Sequence, residues 1–598
     1  MARRPVQGSR SAEDLRQAGA LFNQGRAKDA ADAAARIVAR DPKNAGAHQL
    51  LALARLALGE PERARYHADR AVAATPSNPG AHLALAQVAL KANDLARAEQ
   101  AARKTVELNP DLAQAWEMLA LIQRSNGDHA RAIAALDRAL AIDANRPTAA
   151  VQRGVLDLEG GRVHDATDRL IAAAKRFPTF PEAHTKLAYS LIHDDRAEAS
   201  SIRDAHARWG QIVEQHTPAA RPTGSAEGPD DRLTVAYLSP DLRQHSVSAF
   251  LLPLIEHHDN AAVRTVAYST ATNTDAVSDR LRDAFDTWRD LAQASDDDLA
   301  RAAANDGVDI LVELTGHFSR NRLRAMARRL APVQATYLGY PATTGLTRID
   351  ARIVDHHTDP EAQGDTATEN LVRLDRCFLC YAGPFAESEV NPTPAFERTG
   401  AFTFGSFNNA KKVGPAVIAA WAKVLERSPG AHLTLKGRGY DDVGVADRVL
   451  GEFERLGIKR DRVRILPRTD AVADHLRAYD NIDLALDTFP YNGTTTTCEA
   501  AWMGVPTVTP AGAHHAARVG VSLNHAMGLD AFTTDDIDGY IERASGLADD
   551  PRELIELRPA MRSRLRTSPM MDAEPHARAI EAAYRSLWRA HLERGGAG

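Results

Sequence analysis

The stretch that decides the fold is NIDLALDTFPYNGTTTTCEAAWMGVPTVT, residues 481–509. Residues 482–486 alternate apolar side chains around Asp483 and predict a short buried strand. The chain then turns, because residues 487–493 contain Pro490 and the Asn492-Gly493 pair. Residues 494–503 carry apolar side chains at helical spacing, stop at Gly504 and meet Pro506, after which residues 507–509 open another strand. A strand that breaks at glycine into a helix beginning with four threonines is built to hold an anion. The first helical turn has four N–H groups without partners inside the helix, and the aligned peptide dipoles add about half a positive charge there. Thr494, Thr495, Thr496 and Thr497 add hydroxyl donors, and Glu499, one turn further in, can accept from the hydroxyls of a ribose. A bare threonine run would favour a plain cap with surface threonines. The strand, turn, helix and strand around it favour the anion site.

Composition sets the bounds. A chain of 598 residues exceeds one domain, and at about 100–200 residues per domain it predicts three or four. Hydrophobic content of 44% and charged content of 25% suit a soluble globular protein, and a net charge of −6 argues against a nucleic-acid binder dominated by phosphate contacts. No apolar run approaches the ~18 residues of a membrane span, and the opening MARRPVQGSRSAED has charge without an apolar core, so no secretory signal is read. Three cysteines, Cys377, Cys380 and Cys498, suit a reducing compartment, and a cytoplasmic protein is expected. The CFLC pair has no second pair to complete a zinc site, and it lies in an apolar, strand-like run at 376–381 that predicts core packing.

The first third repeats. Blocks beginning at Asn44, Asn78, Leu112, Arg146 and Phe180 line up at a spacing of 34, each with alanine at its fourth position: Ala47, Ala81, Ala115, Ala149 and Ala183. Turn residues recur at Gly25, Gly59, Asn93, Gly127 and Gly161, and helix-ending prolines at Pro42, Pro76, Pro110 and Pro178. This is the tetratricopeptide pattern, with two antiparallel helices per unit, alanine where they approach and glycine in the turn. Five such repeats, within residues 10–216, predict a superhelical solenoid whose groove grips a partner polypeptide. Residues 217–230, TPAARPTGSAEGPD, read as a linker.

The pattern then alternates strands with helices. Strands are predicted at 233–238, 263–268, 308–313, 334–338, 351–354 and 371–374, with helical stretches between the second and third up to Asn305. The acidic triplet Asp296 to Asp298 follows Ser295 and fits helix capping rather than a metal site. A polar break at 391–398 precedes a second alternation: strands at 401–404, 432–436 and 462–466, helices at 415–426 and 475–479, then the opening stretch. Two lobes follow, 231–395 and 396–598, the second carrying a closing helix at 573–593 and a flexible GGAG tail. Ligands bind at the carboxyl ends of parallel strands in such sheets.

Together the segments YLSPDLRQHSVSAF, VDILVELTGH, APVQATYLGYPATTG, RCFLCY, FGSFNNAKKV, LALDTFPYNGTTTTCEAAWMGVPTVT and AGAHHAARVGVSL resemble the O-linked N-acetylglucosamine transferase and SPINDLY family, in wording closer to the SPINDLY branch and its bacterial relatives. The resemblance implies tetratricopeptide repeats ahead of a GT-B catalytic region of two Rossmann-like lobes. It also implies a nucleotide-sugar-dependent protein O-glycosyltransferase that inverts the anomeric centre without a metal. No cofactor is expected beyond the donor substrate, most simply UDP-N-acetylglucosamine. On this basis His245 matches the histidine at the acceptor side of the cleft, Lys412 the lysine that steadies the donor diphosphate, and Asn409 a neighbouring nucleotide contact. Thr495 and Thr496 match the threonines that hold the diphosphate, and His475 a histidine beside base and ribose. Glu499 stands where the animal enzyme has aspartate, and Thr494 where it has histidine. Lys411 is expected in solvent, His317 and the loop 339–345 in the cleft, and His514 and His515 near the donor sugar.

The residue types agree with this chemistry. An imidazole can take the proton of a Ser or Thr hydroxyl, and a leaving diphosphate needs a fixed cation or a helix N-terminus. A histidine after a strand is also commonly structural. GDP-fucose, another donor such as an acidic sugar moved onto flagellin, or an inert repeat scaffold remain open, as does dimerisation through the repeats.

Overall fold

The computed structural model describes residues 7–364, 366–386 and 388–595. Residues 1–6, part of the stretch read for a secretory signal, and residues 596–598, part of the tail read as flexible, lie outside the described residues. The chain divides into two compact units between Leu156 and Asp157.

In the first unit the helices Gln7–Asn23, Ala27–Arg40, Ala45–Ala57, Pro61–Ala74, Pro79–Lys91, Leu95–Leu108, Ala113–Ser125 and His129–Ile142 succeed one another through short turns. The 34-residue spacing has a direct steric cause. Ala47, Ala81, Ala115 and Ala149 are all 0% exposed, so a larger side chain at any of them would push neighbouring helices apart. The turn residues Gly25, Gly59, Asn93 and Gly127 have φ of 77°, 75°, 58° and 79°, a left-handed conformation that glycine adopts freely and asparagine tolerates. The helix Pro147–Glu159 runs across the division.

The second unit opens with the last helices of the array, Val163–Arg176, Pro181–Leu191 and Ala199–Gln215. Twelve helices precede the first strand among the described residues, so the array holds six helical pairs. Two parallel sheets follow. The first lobe contains β1 (Leu233–Ser239), β2 (Val263–Ser269), β3 (Thr287–Asp290), β4 (Ile310–Glu313), β5 (Val333–Tyr337), β6 (Ala351–Asp355) and β7 (Asn370–Leu374), in the order β3-β2-β1-β4-β5-β6-β7. The second contains β8 (Thr403–Ser406), β9 (His432–Leu435), β10 (Val463–Ile465), β11 (Leu484–Leu486), β12 (Thr507–Pro510) and β13 (Thr533–Thr534), ordered β10-β9-β8-β11-β12-β13. Each sheet therefore reverses direction once, between β1 and β4 and between β8 and β11, which is the doubly wound order with a crevice at the switch point. Central strands such as β1, buried at every position, read as mostly apolar runs because helices cover both faces. The architecture is the expected α-helical solenoid followed by two Rossmann-like lobes.

Several local readings change. The edge strand β3, TWRD, lies where only helix was expected; four half-exposed or exposed residues carry no apolar run to announce a strand. The 376–381 run forms no strand, although its burial is as expected. Cys377 and Cys380 are 5% and 0% exposed, and the Tyr381 N–H donates to the Met570 carbonyl at 2.6 Å. Burial pushes both thiols up to about 12. Ser295 caps its helix reciprocally with Asp298, as the acidic triplet suggested. Residues 217–230 follow a fixed path. The buried Asp309 carboxylate accepts from the N–H groups of Ser225 (2.6 Å), Ala226 (2.9 Å) and Thr234 (2.7 Å). The closing helix Ala573–Gly595 packs on the first lobe, not on the second with which sequence order groups it. Its Tyr584 hydroxyl lies 3.0 Å from that of Tyr237, and its His576 Nε2 lies 2.9 Å from the Tyr337 hydroxyl.

The last helix of the array docks on the 339–345 loop through bare backbone. A Cβ on Gly210 would lie 1.8 Å from the Gly345 carbonyl oxygen, and one on Gly345 2.0 Å from that of His206. Gly210→Ala is therefore expected to destabilise the second unit by about 2 kcal/mol or more, the scale of overpacking against a rigid neighbour. Gly451→Ala, in open space on the helix Val443–Arg455, is expected to be neutral or stabilising by up to about 1 kcal/mol. Thermal unfolding of the two variants side by side checks both.

Candidate active site

The crevice forms where β8 and β11 part. At the end of β11, Asp487 is 1% exposed and organises the turn after it. One carboxylate oxygen accepts from the N–H groups of Thr488 (2.9 Å) and Gly493 (2.6 Å), and the other from the Thr509 hydroxyl (2.8 Å). Gly493 is required by crowding: a Cβ there would lie 2.6 Å from Thr496 Oγ1 and 2.9 Å from Thr497 Oγ1. The helix Thr495–Trp502 starts one residue later than the spacing suggests. Thr494 sits at its cap position without a side-chain hydrogen bond to the first turn. Thr494, Thr495 and Thr496 are half-buried, and the Thr496 hydroxyl donates to Asn408 Oδ1 at 3.3 Å. A donor-rich helix end thus faces the switch point.

From the other side, the short turn Ala410–Lys412 after β8 brings in Lys412. Its ammonium donates to the Asn492 carbonyl at 2.7 Å and lies 4.0 Å from the centre of the Tyr491 ring. Burial pushes Lys412 down to about 7 against the pull of the Asp487 carboxylate. Burial likewise pushes Asp487 up to about 6, opposed by its amide and hydroxyl donors and by Lys412. Asn409 Oδ1 accepts from the Arg438 N–H at 3.2 Å and so fastens the neighbouring glycine turn. Lys411 is not in solvent. The last repeat packs on this turn, and the Lys411 ammonium donates to the Tyr189 hydroxyl at 2.5 Å, so burial lowers it to about 8.

A second corner lies beside β9. His475 Nδ1 is 2.7 Å from the Lys436 ammonium and its Nε2 is 3.2 Å from Glu499 Oε2. An ammonium can only donate and a carboxylate only accept, so the imidazole carries its proton on Nε2 and links the two charges. Phe407 packs against Tyr479 with ring centres 4.3 Å apart and planes tilted by 40°, and lies 5.8 Å from the His475 ring. This corner offers hydroxyls a carboxylate, backed by the buried Phe407 and Tyr479 rings. Lys436 was not anticipated from sequence, although a lysine directly after a buried strand, at its carboxyl end, is a usable signal. Asp487 and Tyr491 were quoted in the opening stretch without a role.

The first lobe contributes His245, 40% exposed, at the cap of the helix Ser246–His257. Its Nδ1 accepts from the Val247 N–H at 3.3 Å and lies 3.8 Å from Asp241 Oδ2. Partial burial lowers its pKa, Asp241 opposes this, and Arg243 and then Arg438 of the second lobe add to it. His317 does not line the crevice. It is 4% exposed, with Nε2 2.7 Å from the Thr344 carbonyl and its ring 4.5 Å from that of Trp209. The docked repeat helix seals it in along with the mostly buried 339–345 loop. His515 is tied to Asp359 at 2.5 Å, and His514 is 7% exposed beside it. Both are packed side chains of the seam between lobes rather than open walls of the crevice.

Comparison with known proteins agrees with this arrangement. A family model described as Glycosyl transferase family 41 matches residues 166–383 and 398–580, and a tetratricopeptide repeat model matches 15–79 and 83–147. A Solanum lycopersicum protein, named as a probable UDP-N-acetylglucosamine–peptide N-acetylglucosaminyltransferase SPINDLY, is 40% identical over 411 residues, 68% of this chain and 44% of that protein. The similarly named SEC protein of Arabidopsis thaliana is 28% identical over 383 residues, 62% of this chain and 39% of that protein. The chain thus spans less than half the length of these plant relatives. A solved structure, a mutant of the Thermobaculum terrenum O-GlcNAc transferase, is 33% identical with a TM-score of 0.78 and covers 86% of this chain and 98% of its own. No helix among the described residues is long and apolar enough to cross a membrane.

Removing the Asp487 carboxylate isolates its structural share. Asp487→Ala leaves two buried N–H groups and one hydroxyl unpaired and is expected to cost about 3 kcal/mol or more, at about 1–3 kcal/mol per orphaned donor. Asp487→Asn keeps an acceptor for the two amides and is expected to cost clearly less. Denaturant unfolding of both variants gives the comparison.

Proposed function

Because the chain belongs to glycosyl transferase family 41, we propose that it moves a sugar from a nucleoside diphosphate to hydroxyl groups of Ser or Thr in protein acceptors. The observation that carries this reading is the Lys412 ammonium, 2.7 Å from the Asn492 carbonyl and beside a helix start that no side chain caps. A diphosphate seated there meets the amides and hydroxyls of Thr494, Thr495 and Thr496, with Lys412 opposite. As the bond from the anomeric carbon to the β-phosphate oxygen breaks, the departing charge falls on donors already in place. This is the work a divalent ion does in other transferases. His475, Glu499 and Asn409 hold base and ribose.

The acceptor oxygen attacks the anomeric carbon from the opposite face, which inverts the centre, and its proton passes to His245. In the resting geometry Nδ1 is occupied by the Val247 N–H. The base role therefore requires the proton of the ring to move to Nδ1, toward Asp241, which frees Nε2. The repeats supply the protein-binding surface. Within the first unit a groove of about 280 Å³ is lined by residues including Met118, Leu121, Arg124, Arg146 and Gln152, a mixture of apolar and hydrogen-bonding groups suited to an extended peptide. The names of the plant relatives favour UDP-N-acetylglucosamine as donor, and that of the Thermobaculum terrenum enzyme favours the same sugar; GDP-fucose is the alternative.

Thermal shifts with UDP, GDP and CMP are expected to single out one nucleotide, since a ligand stabilises the fold it binds. Lys412, lowered to about 7 in the free protein, is mostly neutral at pH 8, and a bound diphosphate raises it again. Calorimetry at pH 8 in buffers of differing ionisation enthalpy should therefore show uptake approaching one proton. Affinity should fall as pH rises from 7.5 to 9, by up to about tenfold per unit. Lys412→Met is expected to abolish the uptake and to lower turnover by about 10²–10³-fold. Equal binding and turnover in wild type and Lys412→Met would remove Lys412 from the mechanism, and absence of both in wild type would leave only a peptide-binding scaffold.

A further inference from the structure

The last repeat reaches the candidate site with a side chain that no part of the mechanism uses. His193 follows the helix Pro181–Leu191 and is 4% exposed. Its Nδ1 lies 3.0 Å from the Tyr189 carbonyl oxygen. A carbonyl can only accept, so Nδ1 carries the proton. Burial, with Lys411, Lys412 and His514 nearby, keeps the ring neutral. Nε2 is then a bare lone pair, an acceptor, and it is buried without a hydrogen-bond partner among the described residues. An orphaned buried acceptor is costly, and the neighbouring donors are committed elsewhere: Lys411 to the Tyr189 hydroxyl and Lys412 to the Asn492 carbonyl.

The location is specific. The His193 ring centre is 4.8 Å from that of Tyr491, and the Lys412 ammonium is 4.0 Å from the same ring centre. Tyr491 thus touches both the ring that carries the orphaned nitrogen and the lysine of the diphosphate seat. A second buried imidazole nitrogen, Nε2 of His514 from the second lobe, is also unpartnered among the described residues. Two lysines make the neighbourhood hostile to a metal cation, and a lone pair repels an anion. A neutral hydroxyl fits both. In a nucleotide sugar, the group next to the diphosphate is the sugar.

We propose that the last tetratricopeptide repeat completes the donor site, with His193 Nε2 accepting a hydrogen bond from a hydroxyl of the sugar to be transferred. This rests on the reading of Lys412 and the threonine helix as the diphosphate seat. The repeat array would then contribute to choosing the donor as well as to holding the acceptor.

The test compares each nucleotide with its sugar conjugate, UDP against UDP-N-acetylglucosamine and GDP against GDP-fucose, by calorimetry on the full chain. His193→Phe keeps a ring against Tyr491 and removes the acceptor. It is expected to leave the Kd of the bare nucleotide within about twofold and to weaken the sugar conjugate about tenfold, the loss of one hydrogen bond. The melting temperature should fall only slightly, because the variant also removes the Nδ1 donor of the Tyr189 carbonyl. His193→Gln, which restores an acceptor near the Nε2 position, is expected to recover part of the loss and serves in place of the phenylalanine variant should that misfold. Equal weakening of nucleotide and conjugate would overturn the proposal and assign His193 to the support of Tyr491 and Lys412. No weakening of either would overturn it in favour of a site filled by solvent. Wild-type binding of neither pair, or undiminished nucleotide binding by Lys412→Met, would instead refute the diphosphate seat, and this proposal with it.

Discussion

A carboxylate buried at the end of a parallel strand carries the candidate site. Asp487 is nearly inaccessible, and its oxygens are occupied by two backbone amides and a hydroxyl. Those bonds turn the chain back sharply enough that Gly493 meets the threonine hydroxyls and the next helix starts facing the crevice. The same carboxylate lies in the field of Lys412, so each charge makes the burial of the other tolerable. Neither ion would be stable at this depth alone. The site is thus a compromise in which desolvation weakens both charges and leaves an ammonium that an incoming anion can restore to full charge.

The same economy governs how the repeats meet the lobes within the second unit. Close contact is made through residues that lack side-chain bulk or lend a ring. Gly210 lies against Gly345, and a Cβ on Gly161 would be 2.9 Å from the Ala410 carbonyl oxygen. Tyr189 receives Lys411 on its hydroxyl and packs beside His193, with ring centres 4.8 Å apart. The turn that carries Lys412 is therefore braced from behind by the array. A glycine that is only a turn residue in one repeat, such as Gly127, becomes a packing requirement in the penultimate helical pair, at Gly161, because a different surface lies against it.

Much of this was legible in the chain, for reasons that can be stated residue by residue. A period of 34 with alanine at one phase needs no tertiary information, since each repeat meets nearly the same neighbours. The doubly wound lobes were legible wherever strands are buried on both faces, as in β1, and lost at the half-exposed edge strand β3. The CFLC run shows the limit of apolar pattern, which signals burial but not backbone pairing. The anion-facing helix start was legible because its ingredients, glycine, threonines and flanking strands, are contiguous.

What the sequence by itself determined is local and periodic: the solenoid, the alternation of strands and helices, the crevice-facing helix and the residues close to it in the chain. Tertiary structure alone decided the pairings between distant segments. It took Lys411 out of solvent and onto Tyr189, sealed His317 behind the docked helix, linked Lys436 through His475 to Glu499, and brought the closing helix back to the first lobe. The physical reason is that a side chain's charge, exposure and partners depend on what lies across the space in front of it, and no periodicity encodes residues hundreds of positions away.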